Sequence, residues 1–268
     1  TYAFDMDRKQ VATYTNFSAD VTYDNFILYD WKYHLPKNPW TRTNTVTLYN
    51  PYGFEVENKD AVGVYSSALY GYDNSVVTAV ASNTGYYELA YDGFEENSSS
   101  YASHGHFNFT GSPVLTSGVS HTGNKSLKIT SGNTISQSVS TNYTSPFTNL
   151  TVRQGEEYHM SVWVKLSSAS ASDSIEVYDA TPTQVAVATT SVNNQKIEGW
   201  QRVELNFTAP STATMTIKVN AIGGDVYIDD IRFQPFTSGM KSYVYQTNTL
   251  WLDAELDDRN YATFYSYD

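Results

Sequence analysis

The stretch at residues 224–233 (GDVYIDDIRF) constrains the fold more than any other part of the sequence. In a β-strand successive side chains point to opposite faces, so one face can be buried at every second position. The apolar residues before Asp229 and Asp230 keep one phase of this alternation, and those after them keep the other. A bulge at the two aspartates would restore a single buried face. The sequence therefore predicts a bulged strand that turns two carboxylates toward one neighbourhood.

The Asp229-Asp230 pair allows two interpretations. A half-buried carboxylate needs a partner that offsets its desolvation, and a bound cation is the most direct one. The alternative is a solvated strand end, where both carboxylates face water. The residues themselves leave both interpretations open.

The composition indicates an all-β fold. The 268 residues include 23 Tyr, and Ser, Thr and Asn are also abundant. These residue types suit pleated, half-solvated strands. No stretch keeps the three-to-four spacing of an amphipathic helix beyond a turn or two, so we expect little helix.

Charge and residue types argue against several classes of function. Sixteen basic and 28 acidic residues give a formal net charge of −12, which disfavours a phosphate-backbone partner. The sequence has no cysteine, so disulfides and thiol chemistry are excluded. No run approaches the roughly 18 apolar residues of a membrane span. We expect neither nucleic-acid binding nor a membrane span here. The Ser-, Thr-, Asn- and Tyr-rich composition fits a secreted or cell-surface bacterial protein.

Residues 1–90 are expected to form several strands separated by turns. Aromatic or β-branched runs occupy residues 21–31 and Asn44–Tyr49, with Asn-Pro turns after each. Residues 65–72 and 75–81 are interpreted as a buried strand pair. A short helix around residues 67–70 is the alternative, because Ala and Ser are frequent there.

Two stretches resemble parts of very large surface or secreted proteins of Bacteroidota-type bacteria. The run NPYGFEVENKDAVGVYSSALYGYDNSVVTAVASN (50–83) is similar to a segment that lies upstream of a jelly-roll module in such proteins. The segment 237–268, with the runs SYVY (242–245), TLWLDAELDD (249–258) and YATFYSYD (261–268), resembles the opening of a tyrosine–aspartate (YD, Rhs-like) repeat tract. A β-segment as short as residues 237–268 cannot bury its own apolar face. We therefore expect it to pack on residues 1–90, with residues 91–236 inserted between them.

Residues 91–236 form the clearest unit, an antiparallel two-sheet sandwich. Strand patterns headed by turns recur without helices between them, which is typical of sandwiches. The signatures, in order, are DGFE (92–95), HTGNKSLKI (121–129), GEEYHMSVWVK (155–165), GWQRVELNF (199–207) and the 224–233 stretch. This ordered set resembles the calcium-containing jelly-roll carbohydrate-binding modules of secreted glycanases and adhesins.

The resemblance implies a structural calcium ion that joins the start of the module to its last strand. Carried over to this sequence, Glu95 offers its carboxylate, and the turn that ends at Lys125 offers backbone carbonyls. Asp229 or Asp230 would close the site, and Asp229 matches the family position better. Hard oxygen ligands are those that calcium prefers.

Two aromatic residues are candidates for glycan binding. Sugar-binding jelly rolls stack flat rings on pyranose faces, because a ring offers apolar area and a polar edge at little entropic cost. Trp163 lies out of phase with the core positions Tyr158, Met160, Val162 and Val164, so it should face away from the core. Tyr178 lies on a strand that could share its face. In the alternative that we favour, Trp163 covers the sheet or packs under a flanking segment.

The sequence offers weak support for an enzyme. Acidic pairs such as Asp5 with Asp7 and Asp253 with Glu255 lack an opposing acid, and His104 and His106 lack a third metal ligand. The leading hypothesis is a non-catalytic structural or adhesive module of a large exported surface protein, whose partners are glycans or other surface protein chains. The alternatives are an active carbohydrate-binding module and, third, a polysaccharide hydrolase.

Overall fold

The computed structural model describes residues 2–4, 40–96, 100–142, 150–190 and 195–268, and these residues are built almost entirely of β-strands. Residues 21–31, expected to form a strand, lie outside the described residues. The strands are β1 (Tyr2–Phe4), β2 (Trp40–Arg42), β3 (Asn44–Tyr49), β4 (Glu55–Asp60), β5 (Tyr65–Gly71), β6 (Val76–Ser82), β7 (Ala90–Asp92), β8 (Val114–Ser117), β9 (Lys125–Ile129), β10 (Thr134–Ser140), β11 (Glu157–Leu166), β12 (Ser172–Asp179), β13 (Gln184–Ala188), β14 (Trp200–Thr208), β15 (Thr214–Ile222), β16 (Val226–Pro235), β17 (Gly239–Tyr245), β18 (Leu252–Leu256) and β19 (Ala262–Phe264). One 3-10 turn, Tyr86–Glu88, precedes β7.

Two antiparallel sheets form the sandwich. A six-stranded sheet has the order β14-β11-β16-β9-β8, with β7 also paired to β16, and a four-stranded sheet has the order β10-β15-β12-β13. Their facing residues form one continuous apolar core. The four β11 positions expected in the core are all buried there: Tyr158, Met160, Val162 and Val164. The predicted sandwich is confirmed.

A seven-stranded antiparallel sheet lies beside the sandwich, in the order β19-β18-β17-β6-β5-β4-β3. Strand β17 pairs with β6, from Gly239 opposite Ser82 to Ser242 opposite Ala79. Segments before and after the sandwich in sequence are therefore hydrogen-bonded to each other. Residues 67–70 belong to strand β5, so the strand interpretation holds over the helical one. The domain boundaries at 90 and 236 stay predictions.

The seven-stranded sheet and the turn after β18 cover the outward face of β11 and β16, at the centre of the six-stranded sheet. Arg232 of β16 is buried, and its guanidinium donates to Ser242 Oγ at 2.6 Å and to the Asp257 carbonyl at 2.6 Å. The Trp163 indole nitrogen donates to the Asn260 carbonyl at 2.6 Å. Buried polar groups need such partners, because an unpaired donor in the interior is costly. The contact between the two sheets is therefore hydrogen-bonded as well as apolar.

Strand β16 carries the predicted bulge. Its register with β11 shifts between the pairs Ser161–Arg232 and Trp163–Asp229, and Asp230 has a left-handed φ of 46°. The extra residue reverses the phase of the strand, as a bulge does. Apolar residues on both sides of it are consequently fully buried in one core: Val226, Ile228, Ile231 and Phe233.

Candidate functional site

The residues expected to hold a metal come together around one turn. Glu95 Oε1 accepts hydrogen bonds from the backbone amides of Asn124 at 2.7 Å and Lys125 at 2.6 Å. Lys125 Nζ donates to the Glu95 carbonyl at 2.8 Å. At Gly123, which has a φ of 58°, an added Cβ would lie 2.5 Å from the Glu95 carboxylate, so this approach requires glycine.

The other end of the same turn binds both aspartates of the bulge. Asp229 Oδ2 accepts the His121 amide at 2.6 Å, and His121 Nδ1 lies 2.7 Å from Asp230 Oδ2. Thr122 Oγ1 donates to Asp230 at 2.9 Å, and the Tyr91 hydroxyl donates to it at 3.0 Å. The bulge therefore turns both carboxylates to one neighbourhood, as expected. Sequence reasoning missed His121 and Thr122 as partners, although they begin the HTGNK signature.

Burial of these carboxylates disfavours their charged forms. Burial raises the pKa of Asp229 well above its usual range, and the charge of Asp230 raises it further. Burial likewise raises the pKa of Glu95 to about 7, although the Lys125 and Asn124 amides oppose this rise. Asp92, buried nearby, also has a strongly raised pKa, and its Oδ2 has no hydrogen-bond partner. The cluster thus holds several buried carboxyl groups whose charged forms are disfavoured.

The carboxyl groups of this cluster suit a divalent cation in charge, but their side chains alone do not provide a coordination geometry for it. Within the described part of the chain, no group of three or more His, Cys, Asp or Glu side chains is arranged to hold a metal ion. Backbone carbonyls of the 121–125 turn would have to complete the coordination of a calcium ion, which takes six to eight oxygens. The orphaned Oδ2 of Asp92 is one further oxygen in this region.

Trp163 does not offer its ring to a ligand, which corrects its assignment as a glycan-binding residue. The side chain faces away from the core as expected, but it is only 1% exposed. Its ring stacks on His121 with centroids 3.9 Å apart, and Tyr261 packs edge-on against it. The favoured alternative, packing under a flanking segment, describes its position. The reason is that the seven-stranded sheet covers this face.

Tyr178 does not share a sheet with Trp163, which is a second correction. It lies on β12 of the four-stranded sheet, and it is half-buried. The neighbouring β12 residues Ile175 and Val177 point into the core, so Tyr178 and Glu176 point outward. The two candidate aromatic residues therefore lie on opposite sides of the sandwich.

A row of hydrogen bonds crosses the outward face of the four-stranded sheet. The Tyr178 hydroxyl donates to Glu176 Oε2 at 2.8 Å, and Ser174 Oγ donates to Glu176 Oε1 at 2.9 Å. Asn220 Nδ2 donates to Ser174 Oγ at 2.8 Å, and Thr134 Oγ1 donates to Asn220 Oδ1 at 2.6 Å. This polar row spans β12, β15 and β10 and fixes the orientation of each side chain.

Apolar and charged groups border the polar row. Lys218 Nζ lies 4.4 Å from the centre of the Tyr178 ring, which is a cation–π contact. Val187, opposite Glu176 on the edge strand β13, is 50% exposed. The hydrogen bond to Glu176 raises the pKa of the Tyr178 hydroxyl, which therefore stays a donor. An aromatic ring, an aliphatic side chain, a carboxylate and an ammonium thus share one accessible face.

The other residues weighed for metal or acid–base chemistry do not form a site. His104 lies 3.6 Å from Glu96, whereas His106 is bound through Nδ1 to the Leu89 carbonyl at 2.7 Å. Burial lowers the pKa of His106. Glu255 is paired with Lys241 at 2.9 Å. Asp5 and Asp7 lie outside the described residues.

Comparison with known proteins gives a family and several structural likenesses. Residues 89–223 match the family model described as a carbohydrate binding domain. The xylan-binding domain from Paenibacillus barcinonensis Xyn10C is similar at 14% identity, over 57% of this chain and 95% of that chain, with a TM-score of 0.40. The C-terminal family 22 carbohydrate binding module of Clostridium thermocellum Xyn10B is similar at 16% identity, over 56% of this chain and 87% of that chain, with a TM-score of 0.35. Among curated proteins, none matches. In the described residues, no helix is long and apolar enough to cross a membrane.

Proposed function

Because the chain belongs to the carbohydrate binding domain family, we propose that it binds a glycan on the outward face of its four-stranded sheet. The observation that carries this proposal is the polar row from Tyr178 through Glu176, Ser174 and Asn220 to Thr134. It joins an accessible ring to pre-oriented carboxylate, hydroxyl and amide groups. A sugar presents the complementary surface, an apolar C–H face with hydroxyls at its edge.

Each part of this face has a role in the proposal. The Tyr178 ring and the exposed Val187 side chain provide apolar contact for the C–H face of a pyranose ring. Glu176 accepts hydrogen bonds from sugar hydroxyls, and Lys218 donates to them. Because hydrogen bonds within the row hold these side chains, little rotamer entropy is lost on binding. We therefore propose glycan binding, rather than a purely structural role, as the main function.

A screen of the full chain on a glycan array, followed by calorimetric titration with the best ligand, tests the proposal. Tyr178→Ala and Glu176→Gln are each expected to reduce affinity about 5- to 150-fold, since each removes a contact worth about one to three kcal/mol. Tyr65→Ala is the matched control. That ring has a similar cation–π contact with Lys59, at 4.9 Å, but lies on β5 of the seven-stranded sheet. Equal affinity in all three variants contradicts the proposal.

A structural calcium ion at the carboxylate cluster is the second part of the proposal. Glu95 and Asp229 would hold it with their carboxylates, and the turn at Lys125 would add backbone carbonyls. When bound, the ion would neutralise carboxylates that otherwise repel one another. The raised pKa values of Glu95, Asp229 and Asp92 support this, since each reflects burial without enough positive charge.

Thermal melting tests the calcium ion separately from glycan binding. Saturating calcium is expected to raise the Tm of chelator-treated protein by several degrees, because a ligand that binds only the folded state stabilises it. Asp229→Asn should lose this shift. Asp225→Asn should keep it, because Asp225 lies outside the cluster and pairs with Lys128 at 2.6 Å. The same shift in Asp229→Asn would eliminate the site.

We also propose that the protein is exported and non-catalytic. Carbohydrate binding is an extracellular task in most settings, and the composition suits export. The YD-like segment around β18 and β19 supports a place in a larger surface protein, beside other surface chains. Incubation with the array's best polysaccharide checks the absence of catalysis. Release of reducing ends that depends on Glu176 or Asp229 would contradict it.

A further inference from the structure

A cleft of about 340 Å³ opens at the edge of the sandwich where β13 meets β14. It lies where the turn between β18 and β19 meets the outward face of β11 and β14, beside Gln195 and Ile197. The lining residues that matter here are Trp163, Gln195, Ile197, Arg202, Glu204 and Tyr261. The sandwich alone would lack the Tyr261 ring, which comes from the turn between β18 and β19.

The polar part of the cleft is a charge-compensated pair. Arg202 Nη2 lies 3.0 Å from Glu204 Oε2, and the guanidinium also donates to the Arg259 carbonyl. The Glu204 side chain is 44% exposed, so it is open to a ligand. Since the two charges cancel, this pair does not select for an anion or a cation. It offers a donor and an acceptor side by side.

The apolar part of the cleft consists of side chains that remain accessible. Tyr261 is 41% exposed, and the Arg202 guanidinium lies 4.6 Å from its ring centre. Ile197 is 50% exposed. The buried Trp163 ring meets Tyr261 edge-on, at 5.7 Å and 76°, and supports it from behind. The Tyr261 ring is thus held in place with an exposed surface.

We propose that this cleft is a second subsite, which takes one neutral sugar residue. The inference rests on the proposed function for the class of ligand, whereas the location of the subsite rests on the cleft residues alone. Two adjacent sugar hydroxyls match the Arg202–Glu204 pair, since one accepts from the guanidinium and the other donates to the carboxylate. The C–H face of the sugar packs on Tyr261. The volume lies at the lower end of ligand pockets, as a single ring requires.

Two separate subsites would allow one molecule to contact a glycan surface at two places. Simultaneous binding to a polymer increases the overall affinity by effective concentration, without new contacts. The second subsite would therefore add avidity toward an insoluble or dense glycan surface.

Nuclear magnetic resonance on the whole chain tests the cleft directly. The probes are methyl β-glycosides of xylose, glucose and galactose at millimolar concentration. The Trp163 indole N–H, bound to the Asn260 carbonyl, reports on the cleft, and the Asn220 side-chain amide reports on the Tyr178 face. We expect both reporters to shift with at least one probe. In Tyr178→Ala, only the Trp163 signal should still respond.

Glu204→Gln and Tyr261→Ala should each weaken the Trp163 response at least about tenfold in fitted Kd, while the Asn220 response stays unchanged. Glu157→Gln, an exposed carboxylate of β11 outside the cleft, is the matched control and should leave both responses intact. A response at Asn220 alone overturns the second subsite and leaves the proposed function standing. A response at Trp163 alone supports the cleft and contradicts the Tyr178 face. No response at either reporter overturns both.

Discussion

The two outward faces of the sandwich differ in solvent exposure, although both belong to alternating antiparallel strands. On the six-stranded sheet, Trp163 and Arg232 point outward and are nevertheless buried, because the seven-stranded sheet packs over them. On the four-stranded sheet, Glu176 and Tyr178 point outward and remain partly accessible. Strand alternation therefore decides which residues leave the core. It does not decide which of them reach solvent.

The largest effect should come from removing the aromatic ring of the covered face, compared with the ring of the open face. Trp163→Ala is expected to cost about 3–5 kcal/mol in the free energy of unfolding, because it leaves a cavity and an unpaired Asn260 carbonyl. Tyr178→Ala should cost less than about 1 kcal/mol, since its face is open. Urea denaturation followed by circular dichroism measures both. Similar costs for the two variants would erase the contrast between the faces.

Arg232→Ala should be the next most damaging change. It leaves the Leu256 and Asp257 carbonyls and the Ser242 hydroxyl without their buried donor, at an expected cost of about 3 kcal/mol. Arg259→Ala, an exposed arginine of the same region, is the control and should stay within about 0.5 kcal/mol of wild type. If the seven-stranded sheet contributed nothing to the sandwich, the two substitutions would have equal effects in the same denaturation experiment.

The free energy of unfolding should depend on pH because of the buried carboxyl groups around the 121–125 turn. Glu95 has a folded pKa of about 7 against an ordinary 4.5, so the folded state holds its proton more tightly. Its stabilising contribution is therefore complete below about pH 4.5 and is lost as the pH rises through 7. Metal-free protein should lose about 1–3 kcal/mol across this range. Asp92 and Asp229 act in the same direction, because their pKa values are also raised.

Denaturation midpoints of chelator-treated protein at pH 5, 6, 7 and 8 measure this loss. Glu95→Gln should flatten part of the profile, and Glu157→Gln, an exposed carboxylate, should leave it unchanged. Calcium should offset the loss at pH 7–8, where the carboxylates ionise. A wild-type protein whose stability increases from pH 5 to pH 8 without metal would contradict the assignment of Glu95.

Local sequence patterns were sufficient for the strands and for the bulge. The phase change across Asp229 and Asp230 is visible within ten residues, and a bulge is the local feature that repairs it. The core positions of β11 follow from alternation alone. The family resemblance, and not a local pattern, identifies the turn at residues 121–125. It also predicts that Glu95 lies near the two aspartates.

Burial of Trp163 under a flanking segment agrees with the alternative favoured above, but a local pattern does not identify its cause. It depends on the Asn260 carbonyl, 97 residues away, and on the pairing of β17 with β6. The polar row likewise joins strands that are distant in sequence, since Thr134 and Asn220 are 86 residues apart. Strand register across sheets determines such contacts, and no local periodicity encodes it. Sequence patterns do not identify contacts that depend on pairing between distant strands.

The smallest expected effect concerns Thr134, on the accessible outward face of the four-stranded sheet. Thr134→Val keeps the shape of the side chain and removes the donor that holds Asn220 Oδ1. Because Thr134 is exposed, stability should change by less than about 0.5 kcal/mol. Glycan affinity should fall by about two- to fivefold, since the Asn220 amide is no longer oriented before binding. Thr214→Val, an exposed threonine of β15 outside the row, should leave affinity unchanged in the same titration. If both variants bind as wild type does, the row is only a surface network and the glycan contacts lie elsewhere on the sheet.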